Sequence, residues 1–359
     1  MQRVIITTGG TGGHIFPALA VAEELKAQYP DIAILFMGAQ YGPEKKLALQ
    51  AGLEFAGLPV RGLLGRGWRA AGAACAMVRA VVQACGIIRR FKPDIVAGFG
   101  GYAAFAPVMA ARLCHVPCLL HEQNAIPGTA NKTLARLTHK VCLSLPVAQG
   151  FAPEKCVLTG NPVRKSVAAL YGTVAKSDTR HVLIMGGSLG AHALNMYIIS
   201  ILPQLKAAGI ELLHQTGVND ATAVRQAYVA AGYDAACVSP FIDDMAAAYR
   251  WADVVFCRSG ATTVAELAAA GKAAIFVPFP YAIHDHQTYN ARSMTQCGAA
   301  VLVPEKDLPQ TDVVALLCDL FLHQEKVQAM AQAAHGQAHI DAAAAVVREM
   351  QLLVKGNNE

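Results

Sequence analysis

Residues 4–18 read VIITTGGTGGHIFPA, and the order of residue types in them decides the fold. Val4, Ile5 and Ile6 form a short apolar run, four glycines with Thr11 among them follow, and an amphipathic run extends from Ile15 to Tyr29. A strand, a tight glycine turn and a helix in that order gather backbone N–H groups at one point. Unpaired amides and the helix dipole both favour an anion there. His14 stands at the mouth of the helix. The spacing is not a dinucleotide fingerprint, because Gly10-x-Gly12 needs a third glycine where Ile15 stands. No Asp or Glu follows the second apolar run, Ile32 to Met37. No Gly-Lys-Ser/Thr follows the turn either, so the Walker pattern fails. The plain alternative is a glycine turn that only packs helix on strand.

A chain of 359 residues exceeds what one core usually fills, so two domains are expected. With 54% hydrophobic and 15% charged residues it is globular. Ten cysteines without metal spacing read as reduced core residues of a cytosolic protein. The N-terminal apolar run ends in glycines, which argues against a signal peptide, and Arg79 interrupts the greasiest region, Ala70 to Ile88. Residues 1–160 hold 16 Lys/Arg against 8 Asp/Glu, and residues 161–359 hold 14 against 17. The first half is therefore the one expected to face an anionic partner; nucleic acid is not expected.

Short apolar runs alternate with helical patterns: Val4–Ile6, Ile32–Met37, Ile95–Ala97, Cys118–His121, Val141–Leu145 and Val157–Thr159. After a polar break at Tyr171–Arg180 they resume at His181–Met185, Leu212–Thr216, Ala236–Val238, Val254–Cys257, Ala274–Val277 and Ala300–Val303. Such runs, not period-two, suit parallel strands buried on both faces. The fold class is α/β, with two Rossmann-like doubly wound parallel-sheet domains. HVLIMGGSLGAH, residues 181–192, repeats the logic of the opening stretch. A ligand is expected in the cleft at the strand C-terminal ends. The expected division is 1–162 and 163–340, with 341–359 a helix crossing back onto the first domain.

Besides the opening glycines, seven polar clusters fall after the expected strands: Gly98–Tyr102 (GFGGY), His121–Asn124 (HEQN), Gly160–Arg164 (GNPVR), Gly186–Gly190 (GGSLG), Phe241–Met245 (FIDDM), Arg258–Glu266 (RSGATTVAE) and His284–Ala291 (HDHQTYNA). In RSGATTVAE, Gly260 and Ala261 allow close approach, and Thr262 and Thr263 offer hydroxyls and a helix N-terminus for a phosphate. Glu266, one turn in, suits the two hydroxyls of a ribose. The bland alternative is a capping box, Thr263 with Glu266.

In this order, these motifs resemble those of the GT-B glycosyltransferases that transfer N-acetylglucosamine from UDP-N-acetylglucosamine to lipid I, giving lipid II for peptidoglycan. The resemblance covers Val4 to about Ala300. It implies a donor site in the C-terminal domain and an acceptor site in the N-terminal one. Carried over by position, Glu266 would hold the ribose, Ser188 with the amides of Ala261, Thr262 and Thr263 the diphosphate, and Ile242 the uracil. Arg164 and Arg258 would lie around the nucleotide, Gln287 would hold the transferred sugar, and Asn124 would approach it with Thr11, Gly12 and Gly13. The acceptor pyrophosphate would sit on Gly9, Gly10, Thr11, Gly12 and Gly13 with Gly100, Gly101 and Tyr102. HDHQ at 284–287 replaces an expected acidic pair, and Leu189 stands where Gln is commoner.

No Asp-x-Asp occurs in the sequence, so no metal and no cofactor is expected; helix N-termini would stabilise the departing UDP. Inversion in one displacement needs a base. His14 is the better placed, since a neutral imidazole suits that role at pH 7, and Glu122 is the rival. Leu63, Leu64 and Trp68 interleave with Arg66 and Arg69 as an interfacial patch would, which suits a peripheral protein on the cytoplasmic face of the inner membrane, beside other cell-wall synthesis proteins. The competing readings are a UDP-N-acetylglucosamine 2-epimerase, an oxidoreductase, and a non-catalytic lipid-carrier binding subunit.

Overall fold

The computed structural model describes residues 1–60, 70–146, 150–173, 179–187 and 190–356, the side chains of 70–74 excepted. Two compact units emerge, Met1–Arg164 with Asp341–Glu359, and Lys165–Ile340. In the first, β1 (Arg3–Thr7), α1 (Gly12–Gln28), β2 (Ala33–Ala39), α2 (Glu44–Gln50), β3 (Glu54–Leu58), α3 (Ala70–Phe91), β4 (Ile95–Gly98), α4 (Phe105–Leu113), β5 (Cys118–Glu122), α5 (Thr129–Ala135), β6 (Lys140–Leu143) and β7 (Cys156–Leu158) follow one another. The strands lie in the order β3-β2-β1-β4-β5-β6-β7, each neighbouring pair parallel. Register places Thr7 opposite both Met37 and Gly98, so the loops after β1, β2 and β4 leave the sheet at one level.

The second unit runs through α6 (Lys165–Ala168), β8 (His181–Met185), α7 (His192–Ala207), β9 (Glu211–Gln215), α8 (Ala221–Ala230), β10 (Val238–Ser239), α9 (Met245–Trp251), β11 (Val254–Cys257), α10 (Ala261–Ala270), β12 (Ala273–Phe276), α11 (His286–Thr295), β13 (Ala300–Leu302), α12 (Val313–Leu322) and α13 (Gln324–His335). Its parallel order is β10-β9-β8-β11-β12-β13. The chain then re-enters the first unit as α14 (Ala342–Gly356), which lies on α1. Val346, Val347 and Met350 are buried in the core that Val4, Ile6, Val21 and Leu25 share, and Gln351 Nε2 donates to Tyr29 Oη at 2.8 Å. Both strand sets are buried on both faces, with Val4, Ile5 and Ile6 or Val254, Val255 and Phe256 fully enclosed. Runs without alternation are the physical consequence.

Three expectations need correction. β3, Glu54–Leu58, has no counterpart among the expected strands; it is an edge strand carrying Glu54 and Gly57, and most of it is half-exposed. Ala236–Val238 is not a strand: Asp234 Oδ1 accepts from Ala236 N at 2.8 Å and caps a 3-10 turn over Ala235–Cys237, leaving two residues for β10. α1 begins at Gly12 rather than Ile15, so the last two glycines are helical.

Candidate functional site

The opening loop is shaped as much by its own bonds as by its glycines. Gly9 N donates to Gly100 O at 3.2 Å, and Gly10 N, at φ +101°, donates to Glu44 Oε1 at 2.9 Å. Glu44 is completely buried at the start of α2. Two of the cradle's amides are therefore engaged internally, and donors for an anion begin at Thr11 and Gly12, ahead of the first helical bond. Gly101, at φ +76°, packs so tightly that a Cβ there would overlap the Gly9 carbonyl, and a Cβ on Gly100 would lie 3.3 Å from His14 Nδ1. The two glycine loops after β1 and β4 thus lock together beside His14, and Tyr102 follows in a 3-10 turn.

HEQN supplies the floor of this site. Glu122, 1% exposed, accepts four hydrogen bonds: Oε1 from Asn124 N (2.9 Å) and Asn124 Nδ2 (3.2 Å), Oε2 from Gly128 N (3.3 Å) and Asn131 Nδ2 (2.8 Å). Its carboxylate organises residues 124–131 from beneath. His14 Nδ1 lies 2.8 Å from Gln123 Oε1, and Gln123 Nε2 donates to Phe99 O at 2.9 Å and lies 3.1 Å from His121 Nδ1. His121 Nε2 faces Gly160 O at 3.1 Å. Burial holds the His121 imidazole down at about 4, so it is neutral at pH 7 and carries one N–H. Arg164, the last residue of the first unit, places its guanidinium 4.8 Å from the centre of the Phe16 ring on α1.

The second unit assembles the remaining residues around the β11–α10 junction. Gly260 is the N-cap of α10 and the first helical bond runs from Val264 N to Gly260 O, so Ala261, Thr262 and Thr263 form the opening turn. The alternative capping box of Thr263 with Glu266 does not form, because Gly260 is the N-cap and the helix starts three residues earlier than that box requires. Glu266, 3% exposed, instead accepts from Tyr249 Oη of α9 at 2.9 Å. Ile242 is half-buried in the loop that Asp244 closes by capping α9 through Ala247 N. Gln287 is tied to the junction twice: Ser259 Oγ donates to its carbonyl at 2.9 Å, and its Oε1 accepts from Phe279 N at 2.9 Å.

Arg258 is more committed than expected. Nη1 donates to Val277 O (3.0 Å) and Pro278 O (3.1 Å), and Nη2 pairs with Glu305. It pins the loop after β12 that carries Phe279. Ser188, and the patch of Leu63, Leu64, Arg66, Trp68 and Arg69, lie outside the described residues. Tyr249, Glu44, Asn131 and the relay role of Gln123 were not anticipated. Gln123 stood inside a quoted motif; the other three come from elements remote in sequence and carry no local signal. Among the described residues, no three His, Cys, Asp or Glu side chains gather as a metal site requires.

The comparisons with known proteins identify the family. Residues 4–143 match the glycosyltransferase family 28 N-terminal domain and residues 181–346 its C-terminal domain. The chain belongs to glycosyltransferase family 28 and has the GT-B fold. A relative from Nitratidesulfovibrio vulgaris (strain DP4) is 55% identical over 359 residues, covering 99% of this chain and 98% of that one. Its name is UDP-N-acetylglucosamine–N-acetylmuramyl-(pentapeptide) pyrophosphoryl-undecaprenol N-acetylglucosamine transferase. The crystal structure of MurG from Acinetobacter baumannii superposes with a TM-score of 0.75 at 34% identity, over 98% of this chain and 99% of that one. A putative UDP-N-acetylglucosamine 2-epimerase from Listeria monocytogenes, 17% identical with a TM-score of 0.65 over 96% of this chain and 94% of its own, shares the fold alone.

Proposed function

We infer that the chain transfers N-acetylglucosamine from UDP-N-acetylglucosamine to the C4 hydroxyl of the N-acetylmuramyl group of lipid I, giving lipid II with inversion at the anomeric carbon. The observation that carries this reading is the 55% identity to a transferase of that name along essentially the whole chain. The donor falls to the second unit, with Glu266 on the ribose, the opening turn of α10 on the diphosphate, and Gln287 on the sugar. The acceptor falls to the first unit, its pyrophosphate on the glycine loops from Thr11 onward.

Chemistry follows from what each group has left to offer. His14 Nε2 takes the proton of the acceptor hydroxyl as that oxygen bonds to the anomeric carbon. The bond from that carbon to the β-phosphate oxygen breaks, and UDP departs with the electron pair. Fixed amides at the N-terminus of α10 stabilise the leaving charge without reorganising, so no metal is required. Glu122 serves as scaffold rather than base, because its oxygens already accept four hydrogen bonds.

On the membrane side, no helix among the described residues is long and apolar enough to cross a bilayer. α3 exposes Val78 and Val82 one turn apart, and Arg79 stands beside them. We assign these, together with Leu63, Leu64 and Trp68, to a peripheral membrane contact, which would suit an enzyme with a lipid-linked acceptor. Changing those three residues to Ser should abolish flotation with anionic liposomes; unchanged flotation would remove the patch. The decisive activity assay incubates the protein with UDP-N-acetylglucosamine, a lipid I analogue and EDTA. A disaccharide product supports the reading, its appearance only without EDTA refutes the metal-free part, and UDP-N-acetylmannosamine instead identifies an epimerase.

A further inference from the structure

Two backbone carbonyls determine where every proton lies in the polar chain beneath His14. A carbonyl oxygen can only accept. Phe99 O, 2.9 Å from the Gln123 amide, must therefore face its NH2, which fixes the amide orientation and turns Oε1 toward His14. Gly160 O, 3.1 Å from His121 Nε2, must face an N–H, which leaves His121 Nδ1 as an acceptor. That acceptor lies 3.1 Å from the same Gln123 NH2, so the second anchor confirms the orientation set by the first. The only hydrogen-bonding group that Oε1 can then meet at His14 Nδ1, 2.8 Å away, is an N–H.

We propose that Gln123, itself held by His121 and Phe99 O, is a positioning residue that fixes His14 as its Nδ1–H tautomer and so keeps the Nε2 lone pair facing the acceptor hydroxyl. The inference deepens the assignment of His14 as the base and rests on it for its catalytic consequence, though not for its structural content. An unassisted imidazole favours its proton on Nε2, the wrong nitrogen for this geometry. Gln123 and His121 are 1% and 0% exposed, so water does not compete for the bond between them. Once Nε2 takes the proton, Nδ1–H still donates to Gln123 Oε1, and the chain needs no rearrangement during turnover. A neutral amide also leaves the imidazolium without a carboxylate partner, which makes return of the proton easy after UDP departs.

The test reads the tautomer directly. Protein with ¹⁵N-labelled histidine is observed at pH 8.5, and the His14 signals are identified by their loss in His14→Gln. Ring ¹⁵N shifts should show protonation at Nδ1; protonation at Nε2 in the unaltered protein overturns the proposal outright. In Gln123→Met the ring should move to Nε2–H, with kcat falling about 10- to 100-fold and KM for UDP-N-acetylglucosamine unchanged. A Gln123→Met variant that keeps Nδ1–H also overturns it. If His14→Gln turns over at the full rate, the base assignment fails while the tautomer result stands, so the two failures are distinguishable. The spectrum of the unaltered protein is decisive even if Gln123→Met does not fold.

Discussion

A carboxylate near a substrate is a base only if a lone pair remains to take the proton. Glu122 accepts four bonds from residues 124, 128 and 131, whereas His14 has one nitrogen tied to Gln123 and the other unengaged among the described residues. The two are separable by mutation. Glu122→Gln turns an NH2 toward donors, which should cost about 1–3 kcal/mol of stability and lower the thermal midpoint. A variant with unchanged stability and no activity would make Glu122 the base after all. His14→Ala should leave the fold intact and lower turnover by about two orders of magnitude, with UDP affinity unaltered. On the donor side, Tyr249→Phe removes the hydroxyl that orients Glu266 and should weaken UDP binding by roughly 1 kcal/mol in calorimetry. His14 and Glu266 were legible because each sits at a fixed offset from a glycine turn. Tyr249 was not, because its partner lies 17 residues away on another helix and no spacing encodes that meeting.

The elements were legible where continuous apolar runs remained, which includes the edge strands β7 and β13, and illegible at the other two sheet edges. β3 and β10 are both edge strands, and there Glu54, Gly57 and the Asp234 cap outweigh the weak hydrophobic signal. The loops after β1 and β4 show what the glycine pattern could and could not convey. It indicated an anion cradle but not that Gly9 and Gly10 donate to Gly100 O and Glu44. Those bonds come from β4 and α2, which join the loop only in the folded sheet. Interlocking of the loops makes Gly101 the sensitive point: at φ +76°, with the Gly9 carbonyl where a Cβ would go, alanine must displace both. Gly101→Ala should abolish transfer to the acceptor while UDP binding, which we assign to the second unit, stays near the unaltered value. Loss of UDP binding in that variant would show that the first unit also holds the nucleotide.

Each unit encloses a neutral histidine in its sheet, and each makes the fold sensitive to acid. Burial holds His121 at about 4, only partly offset by its bond to Gly160 O, and holds His214 at about 3. His214 repeats the logic of His121. Asn195 Nδ2 donates to Thr216 O, so Asn195 Oδ1 accepts from His214 Nε2–H at 3.0 Å, and Nδ1 takes the Tyr228 hydroxyl at 2.9 Å. An unfolded histidine gains its proton near pH 6.5, so below that pH the unfolded chain binds more protons than the folded one. Stability must then fall with falling pH, by roughly 1.4 kcal/mol per pH unit for each histidine, with the penalty absent above 6.5 and complete only below about 4 for His121. Protonation at His121 Nδ1 would also set two donors face to face with the Gln123 amide, breaking the chain that orients His14. Calorimetric melting between pH 8 and 4.5 should show a flat midpoint down to about 6.5 and a steady decline below it. Transfer activity, assayed at pH 7.5 after brief exposure to pH 5, should return, since the lesion is a reversible protonation. A midpoint that is level across the whole range would mean that water reaches these imidazoles and that neither sheet is as closed as its packing requires.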